Sequence, residues 1–411
     1  MTNMSYFESI GILGWGNIEG IILASILSKK AILLNGPHGS NKTEGCEIIT
    51  DAVFGPEAKF VPYDTSLVNA DDLLGYPNPK AMSEGRIEFI ETPDCIWSAN
   101  ACLLDEINRC NPYNAAKFFE IVRSRTINGR PTALQFVWAA CNPPDKYNTS
   151  HMDAAQVSRF VVLKVPSFHD LNEKERKNVL SLMPDKEPGA FVGKMGQARN
   201  SVVPDAQERA IKKKILKISG ALLKKDIQFS GRQTKDLYNL FMNMDRISRS
   251  FEGICFDLDV MATAVMSLVP ECTGLIRSNV NFKNIEAEVY NLLHGFKLSD
   301  PILTADGIVD LCRASVKDAH GHAAAIKDRL EQETDTEKIS EAWDVVKNRI
   351  DITPDVFEQI RQTFAAKATV LSLKKEAKVE EAAEVLAQKL QDYGPQIKKK
   401  AKVKRKKGAN K

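Results

Sequence analysis

Along the first third of the chain, short continuous apolar runs alternate with stretches whose apolar residues recur every three to four positions. Residues 31–36 (AILLNG) predict a buried strand, and residues 42–55 predict the helix that follows it. Residues 102–106 (CLLDE) predict a second strand, with its helix over 111–124. Residues 135–144 (QFVWAACNPP) and 159–166 (RFVVLKVP) predict a third and a fourth strand. Strands that are apolar throughout, separated by helices, point to a parallel, doubly wound α/β sheet covered on both faces. Two hairpin signals interrupt this order. Residues 85–91 (GRIEFIE) read as half of an inserted hairpin, and Asn128-Gly129 is a tight-turn pair just before the third strand.

After Pro166 the strand pattern fades, and amphipathic helices dominate, as over 208–225 and 258–269. The expected organisation is an α/β nucleotide-binding core over 1–166, a helical segment over 167–300 and a further helical region over 301–395. The last of these carries many i,i+4 charge pairs and ends near Gly394-Pro395. No internal repeat is visible. A hydrophobic content of 43% and a charged content of 27% are ordinary for a globular protein. No apolar run approaches the roughly 18 to 20 residues that a membrane span needs. The N-terminal segment lacks the pattern of a secretion signal. Eight cysteines lie scattered without a C-x-x-C pair, so reduced thiols and a cytoplasmic location are expected. The net charge of +3 is uneven: residues 396–411 hold nine Lys/Arg and no acid, which leaves −6 for residues 1–395. Such a tail is expected to stay unfolded. It either solubilises the chain or touches nucleic acid, acidic lipid or an acidic protein.

Chemistry enters at the end of the first strand. Gly36, Pro37, His38, Gly39, Ser40, Asn41, Lys42 and Thr43 sit between a predicted strand and a predicted helix, the context a phosphate-binding loop requires. Backbone N–H groups of such a loop bind phosphate oxygens. Lys42 adds a positive charge at the β- and γ-phosphates, the Thr43 hydroxyl is a Mg²⁺ ligand, and Glu44 closes the candidate nucleotide-binding set. Asn41 stands where a glycine is expected before the lysine. That position favours a left-handed backbone, which Asn tolerates best after Gly. At the end of the second strand, Asp105 is suited to hold Mg²⁺ through its hydration shell and Glu106 to polarise an attacking water.

Asp105-Glu106-Ile107-Asn108-Arg109 after an apolar run resembles the Walker B motif of MoxR-type AAA+ ATPases. Residues 69–75 (NADDLLG) resemble that family's segment between its Walker motifs, Cys141-Asn142-Pro143 its sensor-1 strand end, and residues 154–160 (AAQVSRF) its A-Q-x-x-R-F segment. Both hairpin insertions resemble those of the same AAA+ branch. The resemblance covers about residues 10–166 closely and 167–300 in outline. It implies an AAA+ fold with an α-helical lid over 167–300, and the binding and hydrolysis of Mg-ATP. It also implies a ring, hexameric in this family, and chaperone-like work on protein complexes, often with a von Willebrand factor A domain partner. By the same resemblance Asn142 senses the γ-phosphate or the attacking water, and Arg159 projects to a neighbouring subunit's nucleotide. Arg232, in Ser230-Gly231-Arg232 at the start of a lid helix, reaches the nucleotide of its own subunit. Arg109 is expected near a subunit interface with no assigned role.

Trp15, Gly16 and Asn17 fall where the family places its base pocket, although the base itself is not legible. His38 is positioned to brush the nucleotide. His320-Gly321-His322 lacks a third ligand at metal spacing and reads as a solvated helix face. Two other functions remain open. One is a DNA-associated motor using the hairpins, Arg130 at the second hairpin's tip and the basic tail. The other is a nucleotide-dependent scaffold with little hydrolysis, motivated by Asn41.

Overall fold

The computed structural model describes residues 5–69, 72–144, 150–179, 187–227, 229–298, 311–312, 319–333, 335–347 and 354–373. The chain divides into two compact units, residues 1–298 and 299–411. Among the described residues the first holds nine strands: β1 (Ile32–Asn35), β2 (Phe60–Asp64), β3 (Tyr76–Pro77), β4 (Phe89–Ile90), β5 (Ala101–Asp105), β6 (Thr126–Ile127), β7 (Arg130–Pro131), β8 (Phe136–Cys141) and β9 (Val161–Lys164). Interleaved with them are α1 (Tyr6–Ser9), α2 (Gly16–Leu27), α3 (Lys42–Phe54), α4 (Pro79–Ser83), α5 (Pro112–Ser124) and α6 (Ala154–Val157). After the last strand come the helices α7 (Glu173–Val179), α8 (Val192–Asn200), α9 (Asp205–Lys224), α10 (Gly231–Ser250), α11 (Leu258–Met266) and α12 (Phe282–Leu293).

Five strands form one wholly parallel sheet in the order β2-β5-β8-β1-β9. The side-chain period of two explains why both faces are buried. Ile32, Leu34, Leu103, Trp138 and Leu163 point into one core, which α2, α3 and the later helices complete. Leu33, Leu104, Val137, Ala139 and Val162 point into the other, beneath α5. The doubly wound parallel sheet, its inserted hairpins and the helical region after it agree with the α/β fold class that the sequence leads one to expect. The strand missing from the sequence pattern is β2. Pro62 sits at its centre, and a proline removes a ladder donor that only an edge strand can spare. The edge is where β2 lies.

Both insertions form. β3 pairs with β4, and β6 pairs with β7. Asn128 and Gly129 have φ of 50° and 75°, the double positive φ of a two-residue hairpin turn. Glu120 of α5 caps that turn, accepting from Gly129 N at 3.0 Å and Asn128 N at 3.2 Å.

Helix α10 is held by a capping box, Ser230 with Gln233. Its stripe of Leu237, Leu240, Phe241, Met244 and Ile247 is buried against α2 and the neighbouring helices. Each such residue contributes about 1.5–3 kcal/mol of apolar burial. The second unit contains α13 (Ala319–Gln332), α14 (Thr336–Lys347) and α15 (Pro354–Leu373). They pack around Trp343, whose ring lies 5.4 Å from Phe364 and 5.8 Å from Phe357. Among the described residues no helix is long and apolar enough to cross a membrane. The segment 396–411 and the side chains of His320 and His322 lie outside the described residues, as do Ala70 and Asp71.

Candidate active site

β1 and β8 leave the sheet together, with Asn35 opposite Cys141, and Gly36 N continues the ladder to Cys141 O at 3.2 Å. A side chain on Gly36 would place its Cβ 2.9 Å from Val165 O, so the loop can begin only on glycine. Asn41 adopts φ 57° and ψ 29°, the left-handed backbone expected of it, and α3 starts at the next residue. The candidate lysine and hydroxyl thus stand in the first turn of a helix, where free N–H groups point outward. His38, Gly39, Asn41, Thr43 and Glu44 are exposed along this loop.

Lys42 folds back into the loop. Its Nζ donates to Gly36 O and Pro37 O, each at 2.8 Å, to Ser40 Oγ at 3.3 Å and to Asn142 Oδ1 at 3.4 Å. Burial pushes the Lys42 pKa below its usual range, while Asp105 and then Glu106 act in the opposite sense. The Thr43 hydroxyl donates to Asp105 Oδ2 at 2.9 Å, so two hard oxygen donors converge at one point. Asp105 is fixed from behind: its other carboxylate oxygen accepts from Glu106 N at 2.9 Å, and its carbonyl accepts from Thr65 Oγ1 at 2.9 Å.

Glu106 also has a left-handed backbone, φ 53° and ψ 36°, which turns its side chain across the strand ends. Asn142 Nδ2 donates to Glu106 Oε1 at 2.6 Å. Glu106 Oε2 is buried without a hydrogen-bond partner, 3.3 Å from Arg109 Nε. Asn108 steadies this arrangement by donating to Asn142 O at 2.9 Å. Lys42, Thr43, Asp105, Glu106 and Asn142 therefore form one connected polar group at the carboxyl ends of β1, β5 and β8, where open α/β sheets bind ligands.

Arg159 and Arg232 stand elsewhere. β9 runs parallel to β1 with Val161 opposite Ile32, so Arg159 lies before the start of the strands, at the end of the sheet opposite the Gly36–Thr43 loop. Arg232 joins it there. A pocket of about 300 Å³ is lined by Lys30, Arg123, Arg125, Arg159, Arg232 and Asp236. Arg232 was expected to reach the nucleotide of its own chain; here it lies beside Arg159 and Lys30. The ion pair between Asp236 on α10 and Lys30, 2.5 Å, anchors the start of that helix below β1, away from Lys42. Arg159 Nη1 donates to Phe119 O at 3.2 Å and its guanidinium lies 5.5 Å from the Phe119 ring centre, while its Nε is buried and unpartnered. Burial, then the charges of Arg123 and Arg232, hold the Arg159 pKa below its usual range.

Other candidates settle differently. Trp15 is buried against Gly45, where an added Cβ would stand 3.0 Å from the ring, so it is core and offers no face to a base. Asn17 is exposed at the start of α2. Arg130 donates to Ile87 O at 3.0 Å and lies over the Phe89 ring, joining the two insertions. Thr65, Asn108, Lys30 and Asp236 carry contacts that their local sequence did not single out. Asn108 alone had a signal, being inside the 105–109 motif. Lys30 and Asp236 are 206 positions apart, beyond any local pattern.

No protein-family model matches the chain, and no curated protein matches it. Among solved structures, a candidate ATPase from Cytophaga hutchinsonii matches with a TM-score of 0.49 at 17% identity, covering 72% of this chain and 93% of that one. At that distance the likeness transfers neither residues nor an activity.

Proposed function

We propose that this chain is an ATPase of the MoxR-like AAA+ kind. It assembles as a ring, hydrolyses Mg-ATP at subunit interfaces and uses the cycle to remodel protein complexes in the cytoplasm. The observation that carries the reading is the connected group Lys42–Asn142–Glu106 beside Thr43–Asp105, all at one set of strand ends. Generic surface residues do not converge in this way.

In this reading residues 1–166 bind the nucleotide and 167–300 form the lid. The loop N–H groups from Gly36 to Glu44 cradle the phosphates, and Lys42 exchanges its own loop carbonyls for phosphate oxygens. Thr43 and Asp105 supply hard oxygen donors suited to Mg²⁺, which when bound neutralises charge on the β- and γ-phosphates. Glu106 orients the attacking water and accepts its proton through Oε2, the oxygen that Asn142 does not hold and that now faces Arg109 Nε at 3.3 Å. Asn142 holds the other oxygen and so fixes the carboxylate's direction.

Arg159 and Arg232, at the far end of the sheet, act on the nucleotide of the next subunit. That division of one site between two chains supports a head-to-tail interface, which closes into a ring of hexameric size in this reading. The client is a protein, with a von Willebrand factor A domain partner as the family-based expectation. The DNA-motor reading loses support because Arg130 is engaged within the chain.

The test is turnover and binding of Mg-ATP by Glu106→Gln. Hydrolysis should fall about a hundredfold or more while nucleotide affinity stays within about twofold. Equal turnover in both proteins would remove Glu106 from the chemistry, and rates both equal and negligible would leave a nucleotide-dependent scaffold.

A further inference from the structure

The pocket beneath β1 concentrates positive charge. Lys30, Arg123, Arg125, Arg159 and Arg232 line it with a single carboxylate, Asp236. Like charges gathered so closely raise the free energy of the isolated chain, and an anion docking there recovers it. Arg159 carries the mark of this crowding, with a buried, unpartnered Nε beside the charges of Arg123 and Arg232.

Lys30 is placed differently from the arginines. Its Nζ donates to Asp236 Oδ2 at 2.5 Å and to Ser158 O at 3.4 Å. Asp236 lies one helical turn beyond Arg232 on α10, and Ser158 immediately precedes Arg159. One half-buried ammonium therefore ties together the two segments that carry the two arginines. Arg125 braces the same corner, donating to Lys29 O at 2.7 Å and Val122 O at 2.8 Å.

We propose that Lys30, held by Asp236, is a positioning residue that sets Arg159 and Arg232 in register as a joint receptor for the polyphosphate of an adjoining subunit's nucleotide. It does so through the two segments it joins, without touching the nucleotide itself. The inference rests on the interface reading above.

The experiment compares full-length Lys30→Met, the exchange Lys30→Asp with Asp236→Lys, and Arg159→Ala. Steady-state ATP turnover, binding of a fluorescent ATP analogue and thermal midpoint are measured for each. Lys30→Met should lower kcat about tenfold to a hundredfold while KM and analogue affinity stay within about twofold. The exchanged pair should recover most of the lost turnover. Mixing Lys30→Met with Lys42→Ala, each slow alone, should restore turnover, because the Lys42→Ala chain offers an intact pocket to the intact phosphate loop of the other. A structural role in the chain's own stability would give no such recovery. Wild-type kcat in Lys30→Met, with Arg159→Ala inactive, overturns this inference alone. A Lys30→Met loss that neither exchange nor mixing restores overturns it as well. Wild-type turnover in both single variants overturns the interface reading with it.

Discussion

Asn142 stands between Glu106 and Lys42, donating to the carboxylate at 2.6 Å through Nδ2 while its Oδ1 faces the ammonium at 3.4 Å. One amide therefore fixes a carboxylate and an ammonium of opposite charge, and its two ends are not interchangeable. Asn142→Asp keeps the shape but turns the donor into a second carboxylate oxygen facing Glu106. Turnover of Asn142→Asp should fall at least as far as that of Asn142→Ala, about tenfold to a hundredfold at neutral pH, as read by steady-state phosphate release. Near-wild-type rates for the Asp variant would mean the amide does not orient Glu106.

Asn41 occupies a left-handed backbone at the entry to α3. Asn41→Gly relieves that conformation but adds freedom to the unfolded chain, and the two effects oppose each other. Its stability should change by less than about 1 kcal/mol in denaturant melts. Its nucleotide affinity should be unchanged. Asn41→Val, β-branched at positive φ, should lose about 1–3 kcal/mol and weaken nucleotide binding. A tolerated valine would show that the loop does not need this backbone.

Glu19 on α2 accepts a hydrogen bond from Phe7 N at 3.0 Å inside the core. Burial pushes its carboxyl pKa up, against the opposing hydrogen bonds from Phe7 and Ser5. A raised acid is protonated in the folded chain at pH values where the unfolded chain has already ionised. Its contribution is therefore complete below the unfolded pKa near 4.5 and is lost as pH rises through the higher folded value. Glu19→Gln should remove this loss. The variant should melt higher than wild type at pH 7 to 8, with the gap closing toward pH 4. A gap that widens on acidification would reverse the assignment.

Much of this arrangement was legible because it is local. The four apolar runs became β1, β5, β8 and β9 since a parallel strand buried on both faces carries no polar alternation. The phosphate loop, Asp105-Glu106 and Asn142 each announce themselves within a few residues, at the ends of those strands. Pro62 hid β2, and with it Thr65, which braces Asp105. The position of Arg232 was not legible either. It depends on how α10 packs along α2 and on an ion pair to Lys30, and no short window of sequence contains both partners.

The proposed site shared between chains is tested most directly by mixing two variants. Lys42→Ala removes the phosphate-loop charge and leaves the Arg159 end of the sheet intact, whereas Arg159→Ala does the reverse. Each variant alone should hydrolyse ATP at a rate reduced about a hundredfold or more. Mixed in equal amounts and allowed to exchange subunits, they should recover a substantial fraction of wild-type turnover, because some interfaces then join an intact Lys42 to an intact Arg159. A mixture no faster than the average of its two components, in assemblies verified to contain both, would contradict the shared site.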